Sequence, residues 1–321
     1  MRTTFIQYLE QEAARDPNLY FIVGDVGFSV IEKFKEKYGN RYINAGIAEQ
    51  NMIGVAAGLA MAGKNVYVYS IIPFVTMRCF EQIRNDLCYQ QLPVKLIGVG
   101  GGFSYGPMGV THHALEDVAV MRCLPGMTVV APGSTFETEA LLPHINTLDG
   151  PSYLRLSNNE ELALYNDNTQ VTIGKAVSLV PHDTNIIVAC GNALDLGIKV
   201  QKHLSEMGID IGLVSMPTIK PLDEDFFLSK NLNAVFTLEE HSVIGGLGEA
   251  ISRFLCENFD HKIIFHAFGV NDFYYHIKGS RSYLNEKAGL NIDAIVDMIQ
   301  QKIRLKTHLF NTSIKYGNVD I

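Results

Sequence analysis

Apolar positions recur along this chain with two alternating periods. Phe5, Leu9 and Ala13 fall four apart, the stripe of an amphipathic helix over 4–15. Tyr20 to Val23 is a short continuous apolar run, a buried strand that ends in the turn Gly24-Asp25-Val26-Gly27. A small-residue helix, Ile53 to Met61, is stopped by Gly63, and Val66 to Ser70 reads as the next strand. Residues 78–91 place Phe80, Ile83 and Leu87 on one helical face, and Val94 to Val99 is a strand. A helix near 114–123, a strand at 127–130, a helix at 134–146 and a strand at 153–156 follow. This alternation predicts a largely parallel sheet covered on both faces.

Residues 157–170 turn polar and read as a linker, after which strands at 186–190, 210–215, 234–238 and 262–266 alternate with helices at 193–207, 247–258 and 291–303. The expected fold class is therefore α/β, with two consecutive open, mostly parallel sheets flanked by helices. The domains fall at 1–165 and 171–305, with a weakly periodic tail at 306–321 that is expected to be mobile.

Composition narrows the picture. With 47% hydrophobic and 19% charged residues the chain is globular, and a net charge of −8 without a basic, aromatic-interleaved cluster argues against nucleic acid as a partner. The five cysteines are scattered and contain no CxxC pair, which points to a reducing cytoplasm rather than a disulfide framework or zinc site. Neither a signal peptide nor a membrane-spanning apolar run is read from the pattern.

Glu49 carries the most chemical information. It follows the turn Asn44-Ala45-Gly46 and heads the charge-free run Ile53–Met61, which can pack tightly on every side. A carboxyl beside a dry interior needs a specific partner or a raised pKa, and either equips it to handle a proton. The plain alternative is a helix-end glutamate satisfied by amides and the macrodipole. Thr111-His112-His113 sits in a Gly/Pro-rich loop, where open α/β sheets place ligands. Phe74 is positioned to stack on a ring or simply to fill the core. Two glycine runs, Gly98-Val99-Gly100-Gly101-Gly102 and Gly245-Gly246-Leu247-Gly248, fail as dinucleotide fingerprints and are better read as turns and close packing.

Taken together, these segments resemble the transketolase superfamily. Asn44-Ala45-Gly46-Ile47-Ala48-Glu49-Gln50 with its small-residue helix resembles the family's glutamate motif, and Thr111-His112 followed by Cys123–Pro132 fits the same pattern. Thr218-Ile219-Lys220-Pro221-Leu222-Asp223 and Glu239 to Gly248 are similar to its C-terminal domain. The similarity is collinear from about residue 2 to 303 and covers the C-terminal subunit of a split enzyme: a pyrimidine-binding domain joined to the transketolase C-terminal domain.

The resemblance implies thiamine diphosphate as cofactor, with Mg²⁺ held by a Gly-Asp-Gly…Asn motif in a separate domain. This chain contains no Gly-Asp-Gly. The implied partner is an N-terminal, diphosphate-binding transketolase-like subunit, in an α2β2 assembly. Glu49 would hydrogen-bond N1′ of the aminopyrimidine and drive its tautomerisation, so that the thiazolium carbon can attack a ketone. Phe74 would stack on the heterocycle, with Ile47 and Ile71 as further cofactor-binding positions. His112 would act near the reacting carbons of a sugar substrate, with His113, Met108 and Tyr105 shaping the pocket. Ser29 and Arg2 fall near family positions that touch a sugar phosphate.

Three departures bear on the substrate. Met108 stands where the family has an aspartate for an acceptor hydroxyl, Gly100 where it has a phosphate-facing histidine, and Asn158 where it has a phosphate-binding arginine, although Arg155 is nearby. Charged hydrogen bonds contribute roughly 1.5–3 kcal/mol each, so their loss disfavours a simple pentose phosphate. A larger or less phosphorylated acceptor, such as a nucleotide-linked keto sugar, is expected. The competing readings are a β subunit of a 2-oxo-acid dehydrogenase, a deoxyxylulose-phosphate synthase-like enzyme and, from another class, a non-catalytic scaffold subunit.

Overall fold

The first half of the chain runs α1 (Arg2–Arg15), β1 (Leu19–Val23), α2 (Glu32–Tyr38), β2 (Tyr42–Asn44), α3 (Glu49–Met61), β3 (Asn65–Ile71), α4 (Ile72–Val75), α5 (Phe80–Gln82), β4 (Val94–Val99), α6 (Asp117–Arg122), β5 (Thr128–Val130), α7 (Thr135–Asn146) and β6 (Ser152–Leu156). The second half runs β7 (Val177–Val180), β8 (Asn185–Ala189), α8 (Leu194–Glu206), β9 (Gly212–Ser215), β10 (Thr218–Lys220), α9 (Glu224–Leu228), β11 (Ala234–Ser242), α10 (Leu247–Asn258), β12 (Ile264–Val270), α11 (Arg281–Lys287) and α12 (Ile292–Lys315). This computed structural model describes residues 1–27, 30–157, 165 and 169–315, with residues 305–315 given by backbone alone. Ser29, Asn158 and most of the expected linker lie outside the described residues.

Two open sheets result, as the alternation predicts. The first has the order β10-β5-β6-β4-β3-β1-β2 and the second β12-β11-β8-β9-β7. Pairing is parallel except at β10–β5 and β7–β9. The interior strands are largely apolar and buried because helices cover both faces: every residue of Val94–Val99 is buried, Lys95 included. On α1 the buried residues Phe5, Ile6, Leu9 and Ala13 form the predicted stripe against the sheet.

Several elements differ from expectation. Residues 78–91 form one α-turn followed by a wide, π-helical turn at Ile83–Cys88, although Ile83 and Leu87 are buried as expected. The backbone of α12 continues past residue 306 to Lys315, and no Gly or Pro interrupts that stretch. Helix α3 is packed on one face only. Met52, Ile53, Ala56, Ala57 and Ala60 are buried, whereas Gly54 and Gly58 would meet nothing within 4 Å if given a Cβ, and Met61 is 70% exposed. The small residues permit close approach on both sides, and this chain supplies a neighbour on only one.

The largest topological surprise is β10. It belongs by sequence to the second half, yet it pairs antiparallel with β5 and completes the first sheet. Ala131 N–H donates to Pro217 O at 2.7 Å and Gly191 N–H to Ala131 O at 3.0 Å, which ties the two halves together at this edge.

Candidate active site

The carboxyl ends of β1, β2 and β3 meet at the turn before α3, which is where parallel sheets place ligands. Asp25 takes a left-handed φ of +54°, and Asn44 staples that turn. Its Oδ1 accepts from Asp25 N–H at 3.2 Å and Gly46 N–H at 2.9 Å, and its Nδ2 donates to Asp25 Oδ1 at 2.9 Å. Glu49 then begins α3 with only 2% of its surface exposed. A side chain at Gly24 would press on it, since a Cβ there would lie 3.2 Å from Glu49 Cγ.

Of the two possibilities open to a carboxyl in this setting, the structure displays a specific partner. Arg78 Nη1 donates to Glu49 Oε2 at 2.6 Å, and the Arg78 guanidinium carbon lies 4.5 Å from the centroid of the Phe74 ring. Phe74 is carried by the single turn α4, with Pro73 in its first turn, and is partly buried. The ring of His112 meets Phe74 edge-on at 5.2 Å, and Thr111 Oγ1 is 2.9 Å from His112 Nδ1. Glu49, Arg78, Phe74 and His112 therefore form one continuous cluster, drawn from α3, α4, the turn after it and the 106–113 loop.

A cleft of about 540 Å³ opens beside this cluster, lined among others by Phe74, Arg78, Thr111, His113, Glu116 and Asp272. Burial lowers the His113 pKa, keeping the imidazole neutral, and the Gly106 backbone partly offsets that effect. Burial raises the Glu116 carboxyl, with the Leu115 amide opposing. Among the described residues, no group of three or more His, Cys, Asp or Glu side chains is arranged to hold a metal ion.

The other expected site residues separate into groups. Ile71 is partly buried at the end of β3, but Ile47 is 81% exposed and Met108 is 58% exposed, so within this chain neither lines an enclosed pocket. Gly100, with φ +93°, is a packing glycine: a Cβ there would collide with the ring of Tyr105. Tyr105 thus takes the space a larger residue at 100 would need, and its ring lies 6.3 Å from that of His112. Arg2 is exposed and acts on both Tyr69 and Tyr105; burial raises both phenols and the Arg2 charge partly offsets it.

Arg155 is not available to a phosphate. It is buried, with Nε donating to Asp117 Oδ2 at 2.8 Å and Nη2 to the carbonyls of Ala114 at 2.8 Å and Glu240 at 3.1 Å. The second glycine run is likewise structural. Glu239 accepts from the amides of Leu247 and Gly248 at 2.7 and 2.8 Å, so a carboxylate of this chain already occupies the α10 N-terminus. Arg78 is the site residue that sequence reasoning missed. Its one signal was its place four residues after Phe74, in a segment expected to be helical.

A mostly parallel sheet presenting a buried carboxyl and an aromatic ring near its strand ends, followed by a smaller α/β unit, is the arrangement expected of a pyrimidine-binding domain with its C-terminal companion. The model for the transketolase pyrimidine binding domain matches residues 1–161, and that for the transketolase C-terminal domain matches 174–295. The chain belongs to the transketolase family. It is 33% identical over 270 residues to a subunit of the apulose-4-phosphate transketolase of Actinobacillus succinogenes, covering 84% of this chain and 86% of that one. It is 34% identical over 299 residues to a 6-deoxy-6-sulfo-D-fructose transketolase subunit of a Clostridium species, covering 92% of each. Among solved structures, a split-gene transketolase described as an inactive β4 tetramer superposes with a TM-score of 0.84 at 32% identity, covering 95% of this chain and 98% of that one.

Proposed function

We infer that this chain is the C-terminal subunit of a two-chain transketolase that transfers a two-carbon ketol unit to an acceptor other than a simple pentose phosphate. The observation that carries the reading is Glu49, a carboxyl 2% exposed at the head of α3, in one cluster with the Phe74 ring through Arg78. These residues suit the pyrimidine half of thiamine diphosphate: an acid for a ring nitrogen, a flat apolar face for the ring, and Gly24 leaving space behind the acid. The bound cofactor would supply the electron sink for breaking and making the carbon–carbon bond. Glu49 would hold the proton exchanged with the pyrimidine nitrogen, Phe74 would fix the ring plane, and His112 beside it would donate to substrate oxygens. Burial keeps His113 neutral, so it would add shape and no charge to the pocket wall.

A partner is part of this reading. The bare Gly54/Gly58 face of α3 and the exposed Ile47 lie next to the site, where a second subunit would close it. That N-terminal subunit would hold the diphosphate and Mg²⁺, in an α2β2 complex. With five free cysteines the chain suits a reducing cytoplasm, and among the described residues no helix is long and apolar enough to cross a membrane.

Gly100, Met108 and Arg155 support the acceptor reading. Tyr105 fills the space above Gly100, Met108 brings no charge, and Arg155 is committed to Asp117. Two of the relatives are named for apulose 4-phosphate and 6-deoxy-6-sulfo-D-fructose; both are ketoses, the donor side of ketol transfer, so they favour an unusual substrate in general and leave the acceptor to Gly100, Met108 and Arg155.

The test is reconstitution with an N-terminal partner subunit and assay of ketol transfer. Glu49→Gln is expected to lower kcat by about 10²–10⁴-fold while the complex still assembles. Unchanged turnover in that variant would overturn the assignment of Glu49. Turnover of xylulose 5-phosphate with ribose 5-phosphate at ordinary transketolase rates would overturn the acceptor reading. Release of CO₂ from pyruvate would favour a deoxyxylulose-phosphate synthase-like activity instead.

A further inference from the structure

The pairing of Arg78 with Glu49 and Phe74 has more content than a surface ion pair. Glu49 is 1% exposed at its side chain and Arg78 is 42% exposed, so a buried carboxyl is matched to a cation that reaches in from outside. The guanidinium is flat, carries N–H donors at its edge and stacks readily on aromatic faces. At this site it does both. It donates to Glu49 Oε2 at 2.6 Å and lies 4.5 Å over the Phe74 ring. A protonated aminopyrimidine is also flat, also carries N–H donors at its edge, and would need the same two surfaces.

We propose that Arg78 is a placeholder for the aminopyrimidine: in the cofactor-free chain its guanidinium occupies the pyrimidine subsite, and cofactor binding requires its displacement. This rests on the reading of Glu49 and Phe74 as that subsite. Arg78 is then a positioning residue, acting through Glu49. It keeps the carboxyl satisfied while no heterocycle is present, since an uncompensated charge at that depth would be expensive. It also keeps the acid aimed at the ring position and holds water off the face of Phe74.

The geometry provides a way out. Arg78 lies in the irregular turn between α4 and α5, where its N–H meets Pro73 O at 3.3 Å. Its side chain borders the 540 Å³ cleft, whose wall also carries Glu116 and Asp272. A displaced guanidinium would turn into that space, which Asp272 also borders. Exchange of the ion pair for the cofactor contact makes apparent cofactor affinity weaker than the bare subsite would allow. By conformational-selection arithmetic, the affinity is reduced by the fraction of molecules in which Arg78 has moved aside.

The experiment measures binding, apart from turnover. The dissociation constant of thiamine diphosphate with Mg²⁺ is determined by isothermal titration calorimetry on the reconstituted two-subunit complex, for the native chain, Arg78→Met and Arg78→Lys. Methionine preserves the apolar stem and removes the fork, and tightening of about tenfold is expected. Lysine retains the charge without the flat donor edge and is expected to fall between the two. Unchanged or weaker binding by Arg78→Met would overturn the placeholder. A crystal structure of the cofactor-loaded native complex gives an independent answer that needs no variant. Arg78 is expected to be turned into the cleft, and an Arg78–Glu49 bond persisting beside the bound cofactor would overturn the proposal. Glu49→Gln in the same complex separates the two ideas. Undiminished turnover there removes the subsite assignment itself, whereas lost turnover combined with unchanged cofactor affinity in Arg78→Met removes only the placeholder.

Discussion

Two clusters of buried acids in this molecule are finished to different degrees. Along the seam between its halves, Asp117, Glu239 and Glu240 are all nearly inaccessible, and their partners come from within the chain. Glu240 alone accepts from Phe103 N–H at 2.7 Å, Arg281 Nε at 2.8 Å, Asn285 Nδ2 at 2.9 Å and Asn192 Nδ2 at 3.3 Å. Glu49 is equally buried, yet its partner is a single half-exposed arginine beside an open cleft. A carboxylate surrounded by several fixed donors is built to stay as it is. One held by a half-exposed cation can change partners, and the proposed role of Glu49 rests on that difference.

The comparison can be broken at four points. The largest effect is expected from Arg155→Met, which strands the buried carboxylate of Asp117 with Tyr153 as its remaining side-chain donor at 2.6 Å. Breaking such a pair costs about 3–5 kcal/mol, to be read as a lower midpoint in urea denaturation. A loss below about 1 kcal/mol would mean the seam is not the rigid region.

The second point is pH. Burial pushes Glu239 up to about 7 from 4.5 and His241 down to about 4 from 6.5. The Glu239 contribution to stability is complete below pH 4.5 and lost as pH rises towards 7. That of His241 is complete above pH 6.5 and lost as pH falls towards 4. Over the shared window these two slopes oppose and largely cancel. Relative to the native chain, His241→Gln should therefore lose stability with rising pH, by a total on the order of 3 kcal/mol. Urea midpoints of both chains from pH 4.5 to 7 decide it, and a constant difference between them would refute the opposing slopes.

Third, the same exchange at two glutamates should give unequal losses. Glu240→Gln turns an acceptor into a donor facing other donors, and about 1.5–3 kcal/mol of stability should be lost. Glu49→Gln should cost less than about 1 kcal/mol, because its ion pair has one solvated member. Equal losses would erase the distinction. The smallest effect is expected at Gly54, on the bare face of α3, where a Cβ meets nothing. Gly54→Ala should stabilise the isolated chain by about 0.5–1 kcal/mol through helix propensity alone, measurable as a raised Tm.

The sequence reported those features that depend on neighbours along the chain. Leu247–Asn258 and Val94–Val99 are bounded where their periodicity places them, and Glu49 heads its helix as its glycine turn implies. Features set by distant partners were not legible. Arg78 and Glu49 are 29 residues apart and Arg155 and Asp117 are 38 apart, so no local pattern marks either pair. The titratable triplet Glu239-Glu240-His241 lies inside the buried part of β11, which hydropathy alone would exclude; donors gathered from α10, α11, Asn192 and the 101–103 turn make it tolerable. Three-residue strands such as β2 and β10 are too short to carry a period at all.

The placement of β10 has a further consequence. The polar stretch after β6 looks like a natural cleavage point, and family models divide the chain on either side of it. Separating the halves there would strip Thr218–Lys220 from Thr128–Val130 and leave β5 as a raw edge, with unpaired amides and carbonyls available to other strands. A fragment ending at that stretch should therefore self-associate through that edge, a route that β10 closes in the whole chain. Relatives of this chain are named as subunits of split enzymes, and the borrowed strand gives a physical reason for the two halves of this chain to share one polypeptide.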